Sequence, residues 1–171
     1  MIEDRHSREK VIELEIYTDG SLKTMGRMGF GGWAFIVIRD GKIVAKASDS
    51  EANSTNQRME LTAIARALSF IKDERRPCEK VIVYSDSAYA INCYTQHWYE
   101  KWRKNGWVNA KEESVANQDL WRQIIPFFDN LWYTFRKVPA HSGVFWNEEC
   151  DTMAQQQAEQ LKINWRGKEN E

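Results

Sequence analysis

Four carboxylates in this chain stand where folding alone gives them little to do. Asp19 follows the alternating run Leu14-Glu15-Ile16-Tyr17-Thr18 and leads into Gly20-Ser21. Asp86 follows Val81-Ile82-Val83-Tyr84-Ser85 in the same way. Glu60 sits among apolar neighbours in Arg58-Met59-Glu60-Leu61-Thr62-Ala63-Ile64-Ala65, and Asp151 falls between Trp146-Asn147-Glu148-Glu149-Cys150 and Thr152-Met153-Ala154. Any one Asp at a strand end is ordinarily a turn former or a helix cap. Glu60 alone also reads as a capping-box partner of Asn56 or Gln57. Together, two carboxylates at the ends of neighbouring strands and two on early helical turns can converge on one point. Four anions repel unless a cation neutralises them. Hard oxygen ligands of this kind suit Mg²⁺ or Mn²⁺, and a pair of such ions is a device for in-line displacement at phosphate.

The elements that must position these groups are legible from periodicity. Residues 11–18 alternate and predict a first strand, so Asp19 is expected at its end. Residues 31–38 predict a second strand, and the turn signal Asp40-Gly41 joins it to a third over 42–48. Asn53-Ser54-Thr55-Asn56 is a capping cluster, and the helix it opens carries Met59, Leu61, Ile64, Ala65, Leu68 and Ile71. A fourth strand is expected over 80–85, helices over 87–95, 98–104 and 117–128, a fifth strand over 132–137, and a final helix over 147–161. A hairpin followed by strand–helix alternation implies an α/β domain with a mixed sheet and helices on its faces.

The length of 171 residues favours one domain. The expected division is a charged leader over 1–10, a folded domain over 11–164 and a frayed tail over 165–171. The net charge of −1 exerts no bulk pull on nucleic acid, so any such pull must come from a local patch. The first residues are charged and lack an apolar signal region, and no apolar run is long enough to span a bilayer. Cys78, Cys93 and Cys150 lack paired spacing, which argues against a disulfide framework or a zinc site and for a reducing, cytoplasmic setting.

The four carboxylate motifs, in this order, resemble the type 1 ribonuclease H family. Thr18-Asp19-Gly20-Ser21 is similar to the family's first-strand motif, Asn56-Gln57-Arg58-Met59-Glu60-Leu61 to its helix motif, and Ser85-Asp86-Ser87 to its fourth-strand motif. Pro139-Ala140-His141-Ser142-Gly143 with Asn147-Glu148-Glu149-Cys150-Asp151 is similar to its histidine loop and last carboxylate. The resemblance implies a ribonuclease H-like fold with a five-stranded mixed β-sheet flanked by α-helices. It implies a monomeric, metal-dependent endonuclease that hydrolyses the RNA strand of RNA–DNA hybrids, leaving 5′-phosphate and 3′-hydroxyl ends. Asp19, Glu60, Asp86 and Asp151 would hold two Mg²⁺ ions, which Mn²⁺ could replace, and His141 would handle a proton or product release.

The resemblance extends to the substrate. The segment Trp98-Tyr99-Glu100-Lys101-Trp102-Arg103-Lys104-Asn105-Gly106-Trp107 is similar to the family's basic protrusion, which grips the DNA strand. There Trp98 and Trp102 would cover deoxyribose while Lys101, Arg103 and Lys104 meet phosphates. The helical spacing of the two tryptophans equally fits packing on the domain. Tyr89 matches an aromatic of the same channel, Thr55 and Asn117 a pocket for a DNA phosphate, and Asn56 and Gln57 residues facing the 2′-OH groups of the RNA minor groove. The chain departs from the family in its loop over 22–30, in Ala88 where many members are polar, and in Glu112-Glu113 where lysines are common. A hybrid-binding module without catalysis, or an integrase, transposase or exonuclease domain on the same fold, are the competing classes. The intact carboxylates argue against the first, and the histidine loop and basic segment against the second.

Overall fold

The computed structural model describes residues 10–138 and 144–170. Its elements are β1 (Ile12–Met25), β2 (Met28–Arg39), β3 (Lys42–Ala52), α1 (Asn56–Glu74), β4 (Glu79–Ser85), α2 (Ala88–Thr95), α3 (Trp98–Asn105), α4 (Gln118–Phe128), β5 (Tyr133–Lys137) and α5 (Phe145–Glu169). The strands form one five-stranded sheet in the order β3-β2-β1-β4-β5. β1, β2 and β3 pair antiparallel, while β4 lies parallel to both β1 and β5. This is the mixed α/β sheet that the strand–helix order implies.

Both hairpins are closed by residues that tolerate a left-handed backbone. Asp40 and Gly41 have φ of 52° and 72°, as a two-residue type I′ turn requires. Gly26 takes φ of 60° at the first position of the β1–β2 turn, where Met25 pairs with Met28. That second turn corrects the expectation that β1 stops before Asp19. The strand continues through the 22–30 segment, and Asp19 pairs with Ala34 in mid-sheet.

Period-two alternation divides the strands between two cores. Leu14, Ile16, Phe35, Val37, Val81 and Val83 pack with α1, α2, α3 and α4, including Leu61, Leu68, Trp102, Trp121 and Phe128. Tyr17, Ile36 and Ile38 pack with Cys150 of α5. At the far end of the sheet Arg39 holds the fully buried carboxylate of Glu79 at 2.5 Å, and Arg76 N–H donates to the same group at 2.9 Å. A buried charge so satisfied is tolerated where an unpaired one would be costly.

α5 is longer than its periodicity suggests, and it runs through Glu169 over residues whose composition predicts fraying. Tertiary packing supplies the reason. Trp165 packs on Phe30 at 5.8 Å between ring centroids and donates to Glu169 at 3.3 Å, four residues on. Among the described residues no helix is long and apolar enough to cross a membrane.

Candidate active site

The sheet register brings the first two carboxylates level. Tyr17 of β1 pairs with Tyr84 of the parallel β4, so Asp19 and Asp86 each lie two residues beyond a matched pair. Ser87 follows Asp86 and caps α2, its Oγ accepting from Ala90 N–H at 3.2 Å. Glu60 comes from the second turn of α1, whose first turn Thr55 caps by accepting from Arg58 N–H at 3.1 Å. Gly20 lets that helix dock: a Cβ there would collide with the backbone of Met59 and Glu60. Gly32 of β2 does the same for α5, where a Cβ would strike the carbonyl of Ala154. Docked so, Cys150 donates its thiol to Tyr17 O at 3.2 Å, and Asp151 follows directly on the same helix.

Carboxylate oxygens of Asp19, Glu60 and Asp86 all lie within 4.8 Å of one another. Asp19 and Glu60 are buried, and Asp86 is half-buried. Asp151 is outside this tight trio but close enough for its charge to act on Asp19. Its Oδ2 accepts from Gln155 Nε2 at 2.8 Å. Burial, then the charges of Asp86 and Asp151, push Asp19 from its ordinary 3.8 up to about 7, against the Gly20 N–H that donates to its Oδ1 at 2.8 Å. Burial, then the charges of Asp19 and Asp86, also hold Glu60 well above the usual carboxylate range. Glu60 Oε2 is buried with no hydrogen-bond partner among the described residues. A cluster of hard anionic oxygens, one of them an orphan acceptor, is what a small divalent cation would complete.

A groove of about 480 Å³ opens beside the trio, lined by Asn56, Gln57, Glu60, Asp86, Ser87, Ala88 and Tyr89. Through Gln57 and Tyr89 it meets a second groove of about 670 Å³, whose lining includes Trp98, Lys101, Trp102 and Lys111. The expected substrate residues divide along this path. Asn56, Gln57, Tyr89, Trp98 and Lys101 line it. Trp98 is half-buried, packed on Tyr89 at 5.7 Å and Trp102 at 6.5 Å. Trp102 is only 5 % exposed and belongs mainly to the core, edge-on to Trp121 at 5.4 Å, so packing dominates at that position. Arg103 lies elsewhere. It pairs with Asp129 at 3.1 Å, covers the Tyr99 ring, and lines a separate pocket with Trp107 and Arg122. Lys104 is exposed and is not part of the groove lining. Thr55 and Asn117 are brought into one network by Arg58, whose Nη1 donates to Asn117 Oδ1 at 3.3 Å. His141 lies outside the described residues. Sequence reasoning gave Arg58 no role, although it stands inside the Asn56-Gln57-Arg58-Met59-Glu60 motif, two residues before Glu60. Lys111, the cation beside Glu112-Glu113, lines the same groove as Lys101.

A five-stranded mixed sheet with three converging carboxylates beside a groove defines a nuclease of the ribonuclease H class. The RNase H family model matches residues 12–159. Ribonuclease H of Syntrophomonas wolfei is 46% identical over 142 residues, covering 83% of this chain and 93% of the relative. Ribonuclease H of Thermoanaerobacter sp. (strain X514) is 41% identical over 153 residues, covering 90% and 92%. Among solved structures, LC9-RNase H1, a type 1 RNase H with the type 2 active-site motif, aligns with a TM-score of 0.72 at 26% identity, covering 86% of this chain and 72% of that one. LC11-RNase H1, solved in complex with an RNA/DNA hybrid, shares the fold with a TM-score of 0.64 at 18% identity, covering 86% and 98%. The chain belongs to the ribonuclease H family. Its activity is hydrolysis of the RNA strand of RNA–DNA hybrids.

Proposed function

We propose that Asp19, Glu60 and Asp86, with Asp151 at the rim, hold two Mg²⁺ ions at which the RNA strand is cut. The observation that carries this is the convergence of three carboxylates within 4.8 Å around the orphan Glu60 Oε2. The bound ions would supply a polarised water nucleophile and offset charge on the departing 3′ oxygen. The remaining work falls to the chain itself. Gly20 N–H fixes one oxygen of Asp19, and α1 keeps Glu60 out of bulk water. The water oxygen bonds to phosphorus as the bond to the 3′ oxygen breaks, which leaves a 5′-phosphate and a 3′-hydroxyl. His141, ten residues before Asp151 in the sequence, would handle a proton or product release.

The substrate reading follows the groove. Asn56 and Gln57 line it next to Glu60 and Asp86, where an amide donates to or accepts from a 2′-OH. The DNA strand then runs toward Trp98, Lys101 and Lys111. The hybrid seen with LC11-RNase H1 supports the same class of substrate for this chain. A 5′-labelled hybrid incubated with Mg²⁺ tests the assignment: wild type should cut the RNA strand, and Asp19→Asn should be inactive while keeping its fold. Wild-type turnover by Asp19→Asn would rule out this metal site.

A further inference from the structure

α1 and α5 pack on opposite faces of the sheet, α1 over Leu14 and Ile16, α5 over Tyr17 and Ile36. The carboxylates sit between these helices, for Glu60 belongs to α1 and Asp151 to α5. A strand that meets Asn56 and Gln57 on the α1 side and is cut at the carboxylates continues past the first turn of α5. That turn carries an aromatic pair. Trp146 is half-buried against the small core of Tyr17, Ile36, Ile38 and Cys150, with Tyr84 in the same cluster. Tyr17 and Tyr84 stack at 4.8 Å and 15°, each two residues before a carboxylate, Asp19 and Asp86. Trp146 thus anchors the start of α5 to the strands that carry the site. Phe145 belongs to neither core. Its ring meets Trp146 edge-on at 4.7 Å and is 62 % exposed. A ring left so open adds little to the stability of the fold, because most of its apolar surface stays in water. A helix rises about 1.5 Å per residue, so Phe145 lies about 9 Å along α5 from Asp151. Nucleotides advance about 3.4 Å each along a duplex, so that distance is about three nucleotides.

We infer that Phe145 is a further substrate-binding residue, whose ring packs on a sugar or base face of the cleaved strand within about three nucleotides of the cut, on the side away from Asn56 and Gln57. The inference rests on the placement of Asp151 at the rim of the metal site. Phe145 lines neither groove on the α1 side, so the contact extends the substrate path across the carboxylates. Every nucleotide offers an apolar face, so this hold carries no sequence preference. The ring has no charge, so the hold is also insensitive to salt.

The test is steady-state cleavage in Mg²⁺ of duplexes whose labelled strand carries one short ribonucleotide run, which fixes the cut, and flanks that are shortened one nucleotide at a time from either end. On the longest substrate Phe145→Ala should raise KM about tenfold, within the range of one base–aromatic contact, and hold kcat within about threefold. Its Tm and its slope of log KM against log salt should match wild type, and Phe145→Tyr, which keeps the ring, should keep the wild-type KM. Shortening one flank to within about three nucleotides of the cut should raise the wild-type KM and erase the difference between wild type and Phe145→Ala. Shortening the other flank should leave that difference in place. An unchanged KM for Phe145→Ala on the longest substrate overturns the inference. So does a raised KM that persists when both flanks are short, or one that comes with a lower Tm, since either makes the ring a structural prop. Asp19→Asn, assayed alongside, tests the metal site separately: its turnover would overturn the site on which the inference rests, whatever Phe145→Ala does.

Discussion

Asp19 is held between two demands. Its carboxylate is buried beside Asp86 and Asp151, and the Gly20 N–H and the Glu60 side chain offset these only in part. The folded protein therefore binds the Asp19 proton more tightly than the unfolded chain does, with a pKa of about 7 against 3.8. Stability from this group is full below about pH 4 and is lost as pH rises to about 7. Asparagine carries no such conflict. In chelator, Asp19→Asn should melt higher than wild type at pH 8, by about 1 kcal/mol or more, and the gain should vanish near pH 4. With Mg²⁺ the order should reverse, because a cation that binds only the folded wild type stabilises it. Scanning calorimetry at both pH values, with and without Mg²⁺, reads all of this. A lower metal-free Tm for the variant at pH 8 contradicts the charge conflict. His141 stands apart from the carboxylates in its proposed role. His141→Ala should slow turnover about 10- to 1000-fold without weakening Mg²⁺ binding. An unchanged rate from pH 6 to 9 makes it a spectator.

At the scale of elements, two glycines decide how closely the helices approach the sheet. Gly20→Ala places a methyl against the Met59–Glu60 backbone, so α1 must retreat and carry Glu60 with it. The expected cost is about 1–3 kcal/mol of stability, with activity falling at temperatures where the variant is still folded. Normal turnover in a destabilised protein would show that the site tolerates the shift. The basic segment divides by geometry. Lys101 and Lys111 line the groove, whereas Arg103 is engaged by Asp129 outside it. Neutralising Lys101 and Lys111 should flatten the slope of log affinity against log salt by up to about 0.9 for each phosphate deprived of its cation, and Arg103→Ala should leave it unchanged. Affinity measured at several salt concentrations distinguishes them, and a flatter slope for Arg103→Ala would return that residue to the grip. This division was not legible in the sequence. Trp98, Lys101, Trp102 and Arg103 are near neighbours on one short helix, and only its packing on Trp121 and Asp129 shows which side faces inward. The hairpin at Asp40-Gly41 was legible, because its turn needs residues with positive φ. The passage of β1 beyond Asp19 was not, because the 19–30 stretch lacks clean alternation and its strand pairing rests on the turn at Gly26. The far end of α5 was hidden for a related reason: a distant ring, Phe30, holds Trp165.

The whole molecule carries a net charge of −1 and still has to bind a polyanion. The proposed reading resolves this by separating functions in space. The carboxylates cluster where β1, β4 and α1 meet, the amides of Asn56 and Gln57 line the groove next to them, and Lys101 and Lys111 lie farther along the same path. The four carboxylates were legible as a set because each falls at a junction of elements, and the parallel register of β1 and β4 explains why two of them come level. The bonds that Arg58 makes were not legible, because their partners Glu51, Asn117 and Asp119 lie seven residues before it and 59 and 61 residues after it. The most direct test of the central claim is digestion of three matched duplexes, RNA–DNA, RNA–RNA and DNA–DNA, by the same protein in Mg²⁺ and in chelator. Cutting of the RNA strand of the hybrid alone, abolished by chelator, is the predicted result; cleavage that persists in chelator, or that spares the hybrid, would contradict it.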